Sequence, residues 1–324
     1  MQDTATVTPI HTPEEPAPDH AVRDEIVAVM ASDRAITQAQ LAREIGVSGS
    51  VVNQWLKGNY PGDNEAVAGK IRMWLDTRRD RQHATDRMPA APDFVQTPIA
   101  ARVIGALSYA QTAGDIACVY GAAGLGKTEA IEHYARVSLN VWHVHMRAST
   151  AGVVPALEEI CATLQLAEQG GAARLSRAIL RRLRGTGGLL VIDEAQHLSV
   201  AALDEIRAFH DSTGIGIALV GNEKLYASMT GGNRAANLDR LYSRIGKRLS
   251  LSRASDTDAS LLIKAWGIDD AKCRQALLEI ARRPGALRAM TKVLRLAAMY
   301  ALAEQTTMSY AHIARAGREL GGAE

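Results

Sequence analysis

The sequence is poor in aromatic residues, in cysteine and in excess charge. Aromatic side chains make up 4% of the 324 residues, so stacking on exposed single-stranded bases is not an obvious mode of binding. The formal net charge is +2, so any basic surface must be local. The 3 cysteines lie far apart without the spacing of a metal site, and they predict buried free thiols in a reducing cytoplasm.

Long apolar runs are also missing. No stretch approaches the ~18–20 apolar residues of a membrane span, and the N-terminus lacks a basic segment followed by an apolar one. We therefore expect a cytoplasmic protein with no membrane partner. The rest of the composition is ordinary for a soluble chain, with 47% hydrophobic and 22% charged residues. The length predicts roughly two or three domains.

Shifts in composition divide the chain into five segments. Residues 1–20, rich in Thr, Pro and acidic residues, are predicted to be a disordered tail. Residues 21–76 have a compact helical pattern, and the charged, proline-bearing residues 77–98 predict a linker. In residues 99–252 apolar strand-like runs alternate with amphipathic stretches, which predicts an α/β core with a parallel sheet. Residues 253–324 predict an all-α C-terminal domain.

The periodicity also predicts individual elements of the last two segments. The predicted strands of the core are 116–120, 141–146, 188–192, 215–220 and 248–251. The predicted C-terminal helices are 259–266, 272–282, 286–304 and 309–320.

Residues 121–128 match G-x-x-x-x-G-K-[ST], the phosphate-binding loop of P-loop nucleotidases. A strand-like run precedes the loop and a helical stretch from Glu129 follows it, as the motif requires. The glycines let successive backbone N–H groups point at a phosphate, and the helix N-terminus adds its positive dipole end. We predict ATP binding, with Lys127 reaching the β/γ-phosphates and the Thr128 hydroxyl binding Mg²⁺. The predicted nucleotide-binding residues of the loop are Gly121, Ala122, Ala123, Gly124, Leu125, Gly126, Lys127 and Thr128.

A second nucleotide-site motif follows downstream. The apolar residues Leu189–Ile192 end in two acids, Asp193 and Glu194. Asp193 is predicted to contribute to the nucleotide site by binding Mg²⁺ through water beside Thr128. Glu194 is predicted to orient and deprotonate the attacking water.

Three further positions are candidates for the hydrolytic machinery. Asn222 follows the next predicted strand, where a polar side chain can bond the γ-phosphate or the attacking water. Arg244, with Arg240 as second choice, precedes a strand at a place from which an arginine of an oligomeric ATPase can reach its neighbour's γ-phosphate. A solvated basic face is the alternative for both arginines. Arg288 lies one turn into a C-terminal helix, from which it could contact phosphate.

Residues 37–58 have the pattern of a helix-turn-helix. Thr37 and Ser48 suit helix N-caps, and Gly46 suits the turn between the helices. The polar residues of the second helix face outward, and in repressor-type motifs these positions face the major groove. They suit phosphate contacts or undemanding base contacts; a small helical bundle for protein contacts is the alternative. The predicted DNA-binding residues here are Ser48, Ser50, Asn53 and Gln54.

Arginines also recur at three- or four-residue spacing in the stretch 174–184. On one helix most of them would share a face that suits DNA phosphates and makes binding salt-dependent. A solvated face and a subunit interface are the alternatives. The candidates in this stretch are Arg174, Arg177 and Arg181, and further phosphate candidates are Arg147, Lys224 and Arg234.

The order of these motifs resembles the AAA+ ATPase superfamily over residues 99–320. The chain further resembles the family of B transposition proteins of Mu-like phages, from residue 23 to residue 320. The stretches that carry this second resemblance are 121–128, 190–198 (LVIDEAQHL), 220–222, 229–234 (MTGGNR), 241–248 (LYSRIGKR) and 292–299 (KVLRLAAM).

The resemblance implies an AAA+ core with a helical lid and an N-terminal helix-turn-helix domain. It also implies an ATPase that binds duplex DNA with little sequence preference, selects target DNA and delivers it to a transposase in a bacterial host cell. ATP-bound subunits would self-assemble into a helical filament or ring, and the transposase would trigger hydrolysis.

Two other functions remain open at this stage. The first is a DNA-binding regulator in which ATP acts as a switch, and it would prefer an operator by about 10³-fold or more over random DNA. The second is an AAA+ ATPase of a secretion system, which shares the core motifs. The helix-turn-helix pattern disfavours the second alternative.

Overall fold

The computed structural model describes residues 18–33, 36–87, 92–230 and 239–321. The chain divides into two compact units, Met1–Met88 and Pro89–Glu324. Most of the predicted tail at 1–20 lies outside the described residues, although the first helix already begins at Pro18.

The described part of the first unit is helical around an apolar core. Its helices are α1 (Pro18–Ser32), α2 (Gln38–Ile45), α3 (Gly49–Leu56) and α4 (Asn64–Arg87). Trp55 is fully buried among Ile26, Leu41 and Ile71, and its Nε1 donates a hydrogen bond to the carbonyl oxygen of Asn64 at 3.2 Å. A single large aromatic side chain therefore joins α3 to the other three helices.

The turn between α2 and α3 forms as the local sequence predicts. Thr37 Oγ1 accepts from the backbone N–H of Gln40 at 3.2 Å, and Ser48 Oγ accepts from that of Val51 at 3.3 Å. Gly46 ends α2 in the left-handed conformation, with φ 68°. Glycine adopts this conformation at little cost, which lets the chain leave α2 sharply.

Within the predicted linker at 77–98, residues 77–87 are helical and continue α4 to Arg87. Charged residues such as arginine are good helix formers, so a charged stretch does not by itself end a helix. Two of these arginines also have partners elsewhere in the first unit: Arg78 lies 2.7 Å from Asp33, and Arg79 pairs with Glu25.

The second unit is built on a parallel sheet, as the alternating pattern predicts. Its strands run in the order β2-β3-β4-β1-β5, and every described pair is parallel. The strand bounds are β1 (Ile116–Gly121), β2 (Val141–His145), β3 (Leu189–Asp193), β4 (Gly216–Gly221) and β5 (Ile245–Leu251). Because β1 lies between β4 and β5, the loop after β1 leaves the sheet next to the carboxyl end of β4.

Helices cover both faces of this sheet. They are α5 (Pro98–Ala113), α6 (Lys127–Val137), α7 (Val153–Thr163), α8 (Ala172–Leu183), α9 (Val200–Thr213) and α10 (Glu223–Thr230). Successive side chains of a strand point to opposite faces, and β1 follows this rule. Ile116 and Cys118 pack with α7 to α10, whereas Ala117 and Val119 pack with α5 and α6.

The C-terminal segment is all-α within the described residues, as predicted. Its helices are α11 (Asp256–Ala265), α12 (Ala271–Ala281), α13 (Ala286–Ala303) and α14 (Tyr310–Gly321). They enclose their own core, which contains Leu277, Met290 and Ile313. This segment is called the lid below.

A buried carboxylate ties the lid to the core. Asp258 is 1% exposed, and its Oδ1 accepts from the backbone N–H of Ile99 at 2.9 Å. Its Oδ2 accepts from the N–H of Ser255 at 2.9 Å. Burial raises the pKa of Asp258, but the bonds from Ser255 and Ile99 outweigh it and hold the pKa below its usual value. The charged form is thus stabilised where α11 meets α5.

All three cysteines are buried and unpaired, which agrees with the prediction of buried free thiols. Burial raises the pKa of Cys118 to about 12, so its thiol stays protonated at neutral pH. None of the described helices combines the length and hydropathy required to cross a bilayer.

Candidate nucleotide site

The loop at 121–128 connects β1 to α6, the position that the motif predicts. Gly124 and Gly126 have positive φ values of 82° and 83°. A Cβ on Gly121 would overlap the carbonyl oxygen of Leu251, and a Cβ on Gly124 would overlap that of Gly285. Glycine is therefore required at both positions, because the backbone of Gly121 closely approaches β5 and that of Gly124 closely approaches the lid.

Lys127 and Thr128 begin α6 and face the site. Lys127 Nζ donates to the carbonyl oxygens of Gly121 at 2.9 Å and Ala122 at 2.8 Å. Burial lowers the pKa of Lys127, although Glu194 and Asp193 oppose that shift. Thr128 Oγ1 donates to Asp193 Oδ2 at 2.9 Å. The two predicted Mg²⁺ ligands therefore touch each other.

Asp193 ends β3 and is 1% exposed. Burial raises its pKa, but His143, the Thr128 hydroxyl and the backbone N–H of Glu194 together hold the pKa below its usual value. The N–H of Glu194 lies 2.9 Å from Asp193 Oδ1. The carboxylate is thus ionised and fixed at the edge where a metal–phosphate group would bind.

Glu194 occupies a backbone conformation that is uncommon for its residue type. Its φ of 55° and ψ of 35° are left-handed, a region that costs energy for residues other than glycine. Its carboxylate accepts from Gln196 Nε2, and Gln196 Oε1 in turn accepts from the backbone N–H of Asn222 at 3.2 Å. Gln196 therefore links the tips of β3 and β4, a role that sequence reasoning missed. The LVIDEAQHL stretch was the only signal for it.

Asn222 lies at the tip of β4 as predicted, but its side chain has a local partner. Its Oδ1 accepts from the backbone N–H of Lys224 at 2.9 Å and so caps α10. A contact from Asn222 to phosphate would require this side chain to leave the cap.

A cavity of about 960 Å³ lies between the loop and the lid. The loop, Glu194 and Arg147 line one side, and Arg288 lines the other together with Lys292 and Arg295. Arg288 also donates its backbone N–H to the carbonyl oxygen of Gly124 at 3.2 Å. Sequence reasoning found Arg288 but missed the two other basic residues, which follow it at helical spacing on α13.

Residues before α5 also line this cavity. Phe94 stacks on His133 with ring centroids 3.8 Å apart, and Trp266 of the lid lines the same cavity. Neither aromatic residue was predicted as part of the site, because each is distant in sequence from the motifs. Their flat apolar surfaces suit a nucleobase.

These groups fit a Mg²⁺–nucleoside triphosphate by their chemistry. The loop offers backbone N–H groups and the Lys127 ammonium for phosphate oxygens. Thr128 and Asp193 offer the oxygen ligands that Mg²⁺ prefers.

Arg244 lies away from the cavity and is exposed, and its Nε lies 3.1 Å from Asp211 Oδ1. Arg240 is also exposed on the surface. The structure thus places neither arginine next to the loop of its own chain.

The predicted DNA-binding arginines differ in their surroundings. Arg174 and Arg181 project from α8, but both pair with Glu168, at 2.9 Å and 3.4 Å. Arg177 is exposed on the same helix, and Arg147 pairs with Glu159. Lys224 is exposed at the start of α10. Arg234 lies outside the described residues.

The polar residues of α3 point outward in the first unit, as predicted. Ser48, Ser50 and Gln54 are exposed and Asn53 is half-buried. Ser48 Oγ lies 2.8 Å from Ser50 Oγ.

The fold and the site define a P-loop protein with an AAA domain, and the family model described as "AAA domain" matches residues 111–229. A second model, "Mu B transposition protein, C terminal", matches residues 243–320. The chain is 38% identical over 285 residues to the "ATP-dependent target DNA activator B" of Escherichia phage Mu, which covers 88% of this chain and 90% of the relative. It is 36% identical over 264 residues to the "Mu-like prophage FluMu DNA transposition protein B" of Haemophilus influenzae, covering 81% and 91%. The chain belongs to the family of Mu B transposition proteins.

Solved structures share the fold at lower identity. The Aeropyrum pernix ORC2 protein, solved as ADPNP-ADP complexes, superposes with a TM-score of 0.54 at 17% identity, over 70% of this chain and 67% of that one. Drosophila ORC bound to DNA gives a TM-score of 0.52 at 15% identity, over 72% and 63%. At these identities the similarity concerns the fold alone.

Gly124→Ala should destabilise the protein and weaken nucleotide binding. A left-handed backbone costs a residue with a Cβ of the order of 1–3 kcal/mol, and this Cβ would also overlap the Gly285 carbonyl. We expect a lower Tm and little further stabilisation by added ATP in thermal melts. Gly105→Ala is the matched control, because its Cβ meets nothing within 4 Å. Equal melting curves for the two variants would contradict the close approach.

Proposed function

We propose that this protein is an ATP-dependent DNA-binding ATPase that selects target DNA and delivers it to a transposase. The observation that carries the proposal is the 38% identity, over 88% of the chain, to a relative named ATP-dependent target DNA activator B. The geometry of the nucleotide site supports it, because candidate residues for phosphate binding, for Mg²⁺ and for the attacking water lie together at the loop.

Within one chain, the proposed roles follow from the contacts. The loop and Lys127 bind the phosphates, and Thr128 and Asp193 hold Mg²⁺, which neutralises charge on the phosphates when bound. Glu194 accepts a proton from the attacking water. Its present bond to Gln196 would keep the carboxylate at the tip of β3 until a nucleotide arrives. Arg288 approaches from the lid, and Asn222 senses the γ-phosphate after leaving its cap.

The other half of the hydrolytic site would come from a neighbouring subunit. Arg244 is our first choice for that contact and Arg240 our second, because both are exposed and distant from the loop of their own chain. The pair with Asp211 would have to open for Arg244 to reach a neighbour. In a filament or ring, each hydrolytic site would then be completed by the arginine of an adjacent subunit. ATP bound at the contact between two subunits would in this way control assembly.

The candidate DNA-binding residues differ in whether an acidic side chain already pairs with them. Arg174 and Arg181 already share Glu168, so their charge is partly neutralised. Arg177 is exposed between them and is the strongest candidate on α8. Arg147 and Lys224 are further candidates, as are Ser48, Ser50, Asn53 and Gln54 of the first unit. A filament presents one such patch per subunit, so a modest local charge can give tight overall binding.

The test is binding of the full chain to two unrelated random duplexes, with ATP and without nucleotide. We expect equal affinity for the two duplexes, strict dependence on ATP, and filaments in electron micrographs of the ATP sample. Binding should weaken steeply with salt. A preference of about 10³-fold for one sequence would favour an ATP-switched regulator instead. Full binding without nucleotide would also contradict the proposal.

A further inference from the structure

Two histidines of the edge strand β2 lie against the buried carboxylate of β3. His143 and His145 are two residues apart, so their side chains share one face of the sheet, and the register pairs His145 with Asp193. His143 Nε2 lies 3.4 Å and His145 Nδ1 lies 3.7 Å from Asp193 Oδ2. The three ligand atoms all lie within 4.8 Å of one another. The proposed ATPase mechanism gives neither histidine a chemical step.

The buried Nε2 of the His143 ring faces the Asp193 carboxylate at 3.4 Å without a well-formed hydrogen bond. This nitrogen makes no hydrogen bond within the part of the chain that the structure describes. Buried polar atoms are almost always satisfied, so an exception calls for an explanation. At 3.4 Å from Asp193 Oδ2, this nitrogen lies beyond the usual range of ~2.7–3.2 Å for an N–H···O bond.

The same separation suits two ligands of one metal ion. In a tetrahedral zinc site with bonds of about 2.0–2.1 Å, neighbouring ligand atoms are roughly 3.4 Å apart. The two His–Asp193 distances, 3.4 Å and 3.7 Å, are close to that edge length. Asp193 is 1% exposed whereas His145 is 55% exposed at its side chain, so an ion could enter from the His145 side.

We propose that His143, His145 and Asp193 bind a divalent transition-metal ion of the zinc type. Imidazole nitrogens favour Zn²⁺, Co²⁺ and Ni²⁺, whereas Mg²⁺ and Ca²⁺ favour oxygen ligands. Three protein ligands leave a fourth position for water, as in open zinc sites. The site is therefore chemically distinct from the Mg²⁺ position, although the two share Asp193.

Sharing that carboxylate makes the two ions competitors. Asp193 Oδ2 accepts from Thr128 Oγ1 and is also the oxygen nearest to both histidines. An ion held by the histidines would occupy the oxygen that Mg²⁺ needs, while the loop would still bind phosphates. Zinc would thus slow ATP turnover without displacing ATP. This consequence for turnover rests on the proposed function, whereas metal binding itself does not.

The experiment titrates the nucleotide-free full chain with Co²⁺ and with Zn²⁺. We expect one ion per chain, seen as the visible absorption of four-coordinate Co²⁺ and as heat in a Zn²⁺ titration. His145→Ala should weaken binding at least ~10-fold, because even the loss of a group supporting a metal ligand costs about 10–100-fold. His145 is the safer position to change, since its side chain is more exposed than that of His143.

His197→Ala is the matched control, because His197 lines the cavity but lies outside the cluster. Zn²⁺ should raise the Tm of the wild type and of His197→Ala equally, and that of His145→Ala less. Equal binding by the two variants, or no stoichiometric binding by the wild type, would overturn the proposal. A wild type that binds Co²⁺ but, in a separate assay with Mg²⁺ and without Co²⁺ or Zn²⁺, hydrolyses no ATP would leave the metal site standing and contradict the proposed function.

Discussion

Glu194→Gln should leave ATP bound and slow its hydrolysis by about 10²-fold or more, because a general base contributes ~10²–10⁴-fold to rate. The amide has no carboxylate to accept a proton from the attacking water. Its oxygen can still accept from Gln196, so the link between β3 and β4 should remain. Two measurements test this: the steady-state rate of phosphate release, and the equilibrium binding of a fluorescent ATP analogue.

Glu132→Gln provides the control, because Glu132 is an exposed carboxylate of α6 that does not line the cavity. It should hydrolyse ATP as the wild type does. Loss of ATP binding by Glu194→Gln, or turnover equal to that of the wild type, would show that Glu194 has a different role. Because ATP-bound subunits are proposed to assemble on DNA, a variant that keeps its ATP should also stay on DNA longer than the wild type.

Lys127→Ala should weaken ATP binding by roughly 10²-fold. A hydrogen bond to a charged group contributes about 1.5–3 kcal/mol, and ~1.4 kcal/mol corresponds to tenfold in affinity. Without nucleotide the ammonium bonds to the carbonyls of Gly121 and Ala122, and it is held close to where phosphates would lie. The rise in Tm on addition of ATP is the measurement, since it follows affinity directly.

Lys264→Ala, an exposed lysine in the last turn of α11, is the control for loss of one positive charge. It should keep the ATP-dependent rise in Tm. ATP-dependent binding to duplex DNA should disappear with Lys127→Ala and persist with Lys264→Ala. If Lys127→Ala still binds ATP as the wild type does, the loop is not the main phosphate site.

Local signals predicted the elements of the core well. Each predicted strand appears within a few residues of its expected position, because apolar runs and flanking glycines are short-range features. The helix over residues 77–87, within the predicted linker, was not predicted, for a complementary reason. Arg78 and Arg79 pair with Asp33 and Glu25, which are far away in sequence. A pattern restricted to the charged stretch could not reveal these pairs.

Contacts between residues far apart in sequence also limited how much of the site could be predicted. Motif spacing identified Thr128 and Asp193, which lie in contact. It could not show that Gln196 joins Glu194 to Asn222, or that two histidines face Asp193. The pairing of Arg174 and Arg181 with Glu168 likewise depends on how the loop before α8 folds.

The approach of Gly124 to Gly285 has a consequence for how the lid is controlled. The main-chain atoms of Gly285 approach Gly124, and the N–H of Arg288 donates to the carbonyl oxygen of Gly124. A displacement of the loop would therefore act directly on the first turn of α13, which carries Arg288 and leads to Lys292 and Arg295. Side-chain changes nearby can alter affinity, but the mechanical connection between loop and lid is a property of the backbone. It should persist in relatives whose surrounding side chains have changed completely, as long as both glycines remain.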